Sequence, residues 1–111
     1  NQIQCFVYST ISKFNLHFLE GSFEEGLAMV PEIEENIQRY ENYLDRHRIL
    51  VFYYKIACLY FGNGNFEKAI DYLEQSLKKG FSDKKYIDSD PDLKSLKRDQ
   101  EFKKLMAKYF S

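Results

Sequence analysis

Phe18-Leu19-Glu20-Gly21-Ser22-Phe23-Glu24-Glu25-Gly26 and Phe61-Gly62-Asn63-Gly64-Asn65-Phe66-Glu67-Lys68-Ala69 carry one pattern twice, at an offset of 43 residues. Each copy ends an apolar stretch, turns at a glycine, and continues with a phenylalanine, an acidic residue and, three places after the phenylalanine, a small residue. Gly21 and Gly64 supply the backbone freedom for a sharp reversal. Phe23 and Phe66 are expected to fill the gap between the two helices of each pair. Gly26 and Ala69 allow those helices to approach closely. A pattern that repeats at this period marks a helical repeat architecture.

Working outward, apolar residues at Ile3, Phe6, Val7, Ile11, Phe14, Phe18 and Leu19 keep a helical spacing over 3–20. Ser22 with Glu25 three residues later has the form of a capping box for a second helix, expected over 23–45, with a kink or break at Pro31. A third helix, 47–62, is apolar around most of its circumference and should be the most buried. A fourth, 66–79, carries Phe66, Ala69, Ile70, Leu73 and Leu77 on one stripe and ends at Gly80. Residues 81–92 read as a short helical turn plus loop. Asp90 then caps a further turn that begins at Pro91, and Asp99 caps a last helix over 100–110 with Phe102, Leu105, Met106, Tyr109 and Phe110 inward. The fold class is therefore all-α: one domain, 1–111, of two antiparallel hairpins, 3–45 and 47–79, and a closing segment, 80–111.

Composition sets the remaining bounds. With 9 Tyr, 10 Phe, 5 Gly and 2 Pro in 111 residues, bulky side chains far outnumber chain breakers, which argues against a turn-rich β fold. The net charge of −1 gives no global field for nucleic acid. Residues 1–47 hold 8 acidic and 3 basic side chains and residues 48–111 hold 9 and 13, so a net of −5 precedes a net of +4. No apolar run reaches the roughly 18 residues of a membrane span, so no membrane partner is expected. Localisation is left open, with the cytoplasm as the default. Cys5 and Cys58 match no metal spacing; both have apolar sequence neighbours and are expected as buried thiols.

Residues 50–81 resemble a tetratricopeptide repeat. Ala57 is the small residue of its first helix, Tyr60 follows one turn later, Gly64, Phe66 and Ala69 match the turn and second helix, and Leu73 takes the later bulky position. Ser76 stands where Ala is usual, and Phe81 where Pro is usual. Residues 7–40 form a weaker copy, with Phe14 in place of the small residue, Gly26 in place of Ala, and a second helix about nine residues longer. Gly80-Phe81-Ser82-Asp83, Asp90-Pro91-Asp92-Leu93 and Glu101-Phe102-Lys103-Lys104-Leu105 resemble the segment that often closes such arrays. The resemblance implies a short α-solenoid that binds proteins on the face lined by the first helix of each repeat. The corresponding positions are Tyr8, Ile11, Asn15 and Phe18, then Tyr54, Cys58 and Phe61. Of the Lys, Asn and Arg positions with which this family holds acidic C-termini, only Asn15 is matched, so the aromatic groove implies an apolar or helical ligand.

Chemistry is sparse. Asp88-Ser89-Asp90-Pro91-Asp92 looks like the start of a calcium loop, but Leu93 and Asp99 occupy the positions that need Gly and Glu, so capping is the expected role. His17 and His47 have no paired ligand, and no nucleotide loop or nucleophile motif is present. No catalytic residue, cofactor or metal is expected. The basic tail, Lys94 to Lys108, is diluted by Asp92, Asp99 and Glu101, which disfavours nucleic acid. The expected partner is a protein or peptide, with a second copy of the chain as one form of it. A regulatory or dimerisation segment of a larger enzyme or transcription regulator is the alternative.

Overall fold

The computed structural model describes residues 1–110, all-α with no strand among them. Helices α1 (Gln2–Glu20) and α2 (Phe23–Tyr40) are followed by a 3₁₀ turn, Glu41–Tyr43. Helices α3 (Arg46–Gly62) and α4 (Phe66–Lys78) come next, and then α5 (Lys84–Ser89), two 3₁₀ turns at Pro91–Leu93 and Ser95–Arg98, and α6 (Gln100–Phe110).

Three glycines shape the joints. Gly21, Gly64 and Gly80 have φ of 73°, 86° and 116°. At each, the glycine N–H bonds three residues back (to the carbonyls of Phe18, Phe61 and Leu77), and the next N–H bonds five back (to His17, Tyr60 and Ser76). That pair of bonds satisfies carbonyls that a helix end leaves open. It also explains why the expected capping box at Ser22 does not form. The Ser22 N–H that Glu25 would have taken already donates to the His17 carbonyl at 2.9 Å, and the Ser22 hydroxyl caps nothing. Asn65, in the matching place, does cap α4, accepting from the Lys68 N–H at 3.2 Å.

Helix α3 is central, as its composition requires. Its Ile49, Phe52, Tyr53, Ile56 and Leu59 close a core with Val7, Ile11 and Phe14 of α1 and Val30, Ile33 and Ile37 of α2. Its Tyr54, Ala57 and Cys58 close a second core with Leu73 and Leu77 of α4 and with Ile87, Leu93, Leu96, Phe102 and Leu105 of the tail. The final thirty residues are thus part of the packing. Ser76 is fully buried, and its hydroxyl donates to the Leu50 carbonyl at 2.7 Å, tying α4 to α3.

Several expectations are corrected. Helix α2 passes through Pro31 unbroken and ends at Tyr40, short of residue 45. Beyond it, α1 holds the backbone open: Gln4 donates to the Tyr43 carbonyl at 2.7 Å, and the Asp45 N–H donates to the Tyr8 hydroxyl at 2.6 Å. Asp45 is then free to cap α3. Cys5 is exposed rather than buried, because it and Phe6 lie on the outer face of α1 while Val7 points inward. Leu19 is likewise 78% exposed. Phe23 does not fill the α1–α2 gap; its ring lies over Gly62, where an added Cβ would sit 2.7 Å from it. Gly26 does hold the close approach: a Cβ there would meet the Leu59 side chain at 2.9 Å.

Candidate functional site

Helices α1 and α3 lie side by side, and the arm 80–92 folds back beside α3. Between them run three adjoining clefts of about 250, 390 and 470 Å³. The first is lined by Tyr8, Ile11, Asn15, His47 and Val51, among others; the second by Phe18, His47, Val51, Tyr54, Phe81 and Tyr86; the third by Phe18, Leu19, Phe23, Cys58 and Phe61. His47 and Val51 are shared by the first two clefts, Phe18 and Asp92 by the last two, so the three form one furrow. All seven residues anticipated on a groove, Tyr8, Ile11, Asn15, Phe18, Tyr54, Cys58 and Phe61, line it.

They do not line it equally. Ile11, Tyr54 and Cys58 are buried and form floor, whereas Tyr8, Asn15, Phe18 and Phe61 are half-buried and form wall. Tyr54 stacks on Phe81 with ring centroids 4.8 Å apart and meets Tyr86 edge-on at 5.6 Å. Its hydroxyl donates to Asp90, whose other carboxylate oxygen accepts the Asp92 N–H at 2.9 Å. Burial and then this bond push the Tyr54 hydroxyl far above its ordinary pKa, so it remains a donor. On the α1 side, Lys55 donates to Asn15 at 3.0 Å and lies 5.7 Å from the Phe18 ring centre, while Arg48 lies 4.3 Å over Tyr8. Burial lowers the Lys55 pKa. The walls of the furrow are therefore fixed by bonds that already exist in the free chain.

Sequence pattern did not find Leu19, Glu20, Phe23, Val51, Asp83, Tyr86, Asp90 or Asp92 as furrow residues. Val51 lies within α3; the others come from the α1–α2 turn and the arm, whose meeting is a tertiary event. The only local signal was the Asp90-Pro91-Asp92 cap. Cys58, Asp90 and Asp92 bring a thiol and two carboxylates within 4.8 Å of one another, a spacing that a metal ion could use. Both Asp90 oxygens are already engaged, however. Burial, followed by the two carboxylates, raises the Cys58 thiol well above its ordinary pKa and keeps it protonated. The hydrogen bond that joins α3 to the arm here is the one from Tyr54 to Asp90, with the Cys58 thiol packed beside it.

No protein-family model matches the chain, and no solved structure matches it. Among curated proteins it is similar to a chloroplastic protein of Arabidopsis thaliana, with 31% identity over 96 residues, 81% of this chain. The chain spans 29% of the length of that relative.

Proposed function

We propose that the chain is a non-catalytic protein-interaction module, built as a short tetratricopeptide-like α-solenoid of two hairpins and a closing segment. Its furrow between α1 and α3 receives an apolar or helical segment of another protein. The observation that carries this proposal is the furrow itself: a continuous channel with eight Phe and Tyr side chains in its lining, whose walls are set in the free chain, as a preformed binding surface requires. Supporting it, the two hairpin turns 43 residues apart share one hydrogen-bond geometry. A random peptide library displayed on phage and selected against the folded chain tests it. The expected result is binders whose amide chemical-shift changes fall on α1, α3 and the arm 80–92. A selection that returns no binder, or binders mapping to α2 and α4, refutes it.

The alternative, a dimerisation or regulatory segment of a larger protein, draws on a different face. Cys5, Phe6 and Leu16 expose apolar surface on the outer side of α1. Light scattering across a hundredfold range of concentration separates the two. A dimer abolished by Leu16→Asp favours this alternative, and a monomer throughout excludes dimerisation by the isolated chain.

A further inference from the structure

The third cleft of the furrow has a composition unlike the rest. Its floor is Cys58, Leu59 and Gly62, and its rim is Phe18, Leu19, Phe23 and Phe61. Gly21 and two carboxylates, Glu20 and Asp92, complete the lining, and no lysine, arginine or histidine joins them. Among the described residues, neither carboxylate has a cation within ion-pair distance and neither accepts a side-chain hydrogen bond. Gly62 makes the depth: a side chain there would collide with the Phe23 ring. The next cleft along adds Asp83 and Asp90, against Lys55 and His47, and Lys55 is turned to Asn15 on the α1 side. This end of the furrow is thus apolar below, negative at its edges and empty of countercharge.

Resting on the interaction-module reading, we propose that this cleft takes a partner segment in which a lysine or arginine sits beside a bulky apolar side chain. The apolar group enters between Leu19, Phe23 and Phe61, and the cation meets Asp92, with Glu20 as the second acceptor. Complementary charge at such a rim chooses between partners and sets register more than it adds raw affinity. Burial, and then the neighbouring Asp90, hold the Asp92 carboxyl above the usual carboxylate range, as expected for an acid left without a cation.

The peptide selection described above, repeated on Asp92→Asn and Asp92→Lys chains, tests the idea. Against the unaltered chain, binders enriched in Lys or Arg next to Leu, Met or Phe are expected. The same peptides should bind Asp92→Asn about tenfold more weakly, the loss of one charge-assisted hydrogen bond. Selection on Asp92→Lys should turn towards Glu and Asp. Circular dichroism of each variant confirms that it folds. Binders that map to the furrow without basic enrichment, or whose affinity ignores Asp92, overturn this proposal and leave the module reading standing. No binder at all overturns both. Amide shifts at Leu19, Phe23 and Asp92 that depend on protein concentration without peptide would show a second copy as the occupant, and would also overturn it.

Discussion

Leu93 offers the sharpest test of how the tail is held. It is fully buried and packs into the core that Tyr54, Ala57 and Cys58 of α3 share with α4 and α6. Leu93→Ala removes three carbons, about 2.4 kcal/mol at about 0.8 kcal/mol per buried carbon. The void left in a core closed by Ile87, Leu96 and Phe102 raises the expected loss to about 3–4 kcal/mol. Urea unfolding followed by circular dichroism at 222 nm measures it as a fall in midpoint at constant slope. Leu16→Ala and Leu19→Ala, on exposed positions, are the controls and should shift stability by less than about 0.5 kcal/mol. A loss below about 1 kcal/mol at Leu93, or a second unfolding step confined to the tail, would show that residues 80–110 are not an integral part of one cooperative unit.

Three further outcomes follow from particular atoms. Gly21→Ala should cost about 1 kcal/mol by the same assay; its Cβ meets nothing within 4 Å, so only the left-handed backbone is being tested, and an unchanged midpoint would refute that account. Tyr54→Phe should cost about 1–3 kcal/mol, because it leaves the buried Asp90 carboxylate with one fewer donor while the stacking on Phe81 stays; a change under about 0.5 kcal/mol would mean that the bond contributes nothing. Asp92→Asn should stabilise the fold at neutral pH by a few tenths of a kcal/mol after solvent screening, about 1–2 °C in Tm. The sign is set by the raised carboxyl: the folded state binds its proton more tightly than the unfolded chain does. Stability therefore gains from Asp92 as pH falls through the carboxylate range, and a pH series on the Asn variant should lack that gain.

Helix positions were legible in the sequence wherever local chemistry decides them. Glycines at 21, 64 and 80, the Asp90-Pro91 pair and Asp99 each fixed a boundary through backbone geometry or a cap. The end of α2 was illegible because nothing in Glu41–Leu44 breaks a helix; Gln4 and Tyr8, about forty residues away, do it. The inward or outward choice within α1 was only half legible. Phe6 and Leu19 share the apolar pattern with Val7 and Phe18, and which of them is covered depends on where α2 and α3 lie. The furrow divides in the same way. Seven of its α1 and α3 positions were anticipated from the resemblance to a tetratricopeptide repeat, whereas Glu20, Phe23 and Asp92 arrive from the α1–α2 turn and an arm that no local rule brings together.

Tyr54 touches both ends of one loop: Phe81 lies flat against its ring, and Asp90 bonds its hydroxyl. The stretch 82–89 is therefore a lasso drawn shut on a single rivet. Helix α5 lies inside the lasso and fully buried Ile87 pins it to the core, so added residues belong at exposed Ser82, ahead of the Asp83 cap, where doubling a loop costs only about 0.6 kcal/mol. Pulling the rivet frees both ends at once, so tolerance to insertion and intolerance to substitution sit within one small circuit of chain.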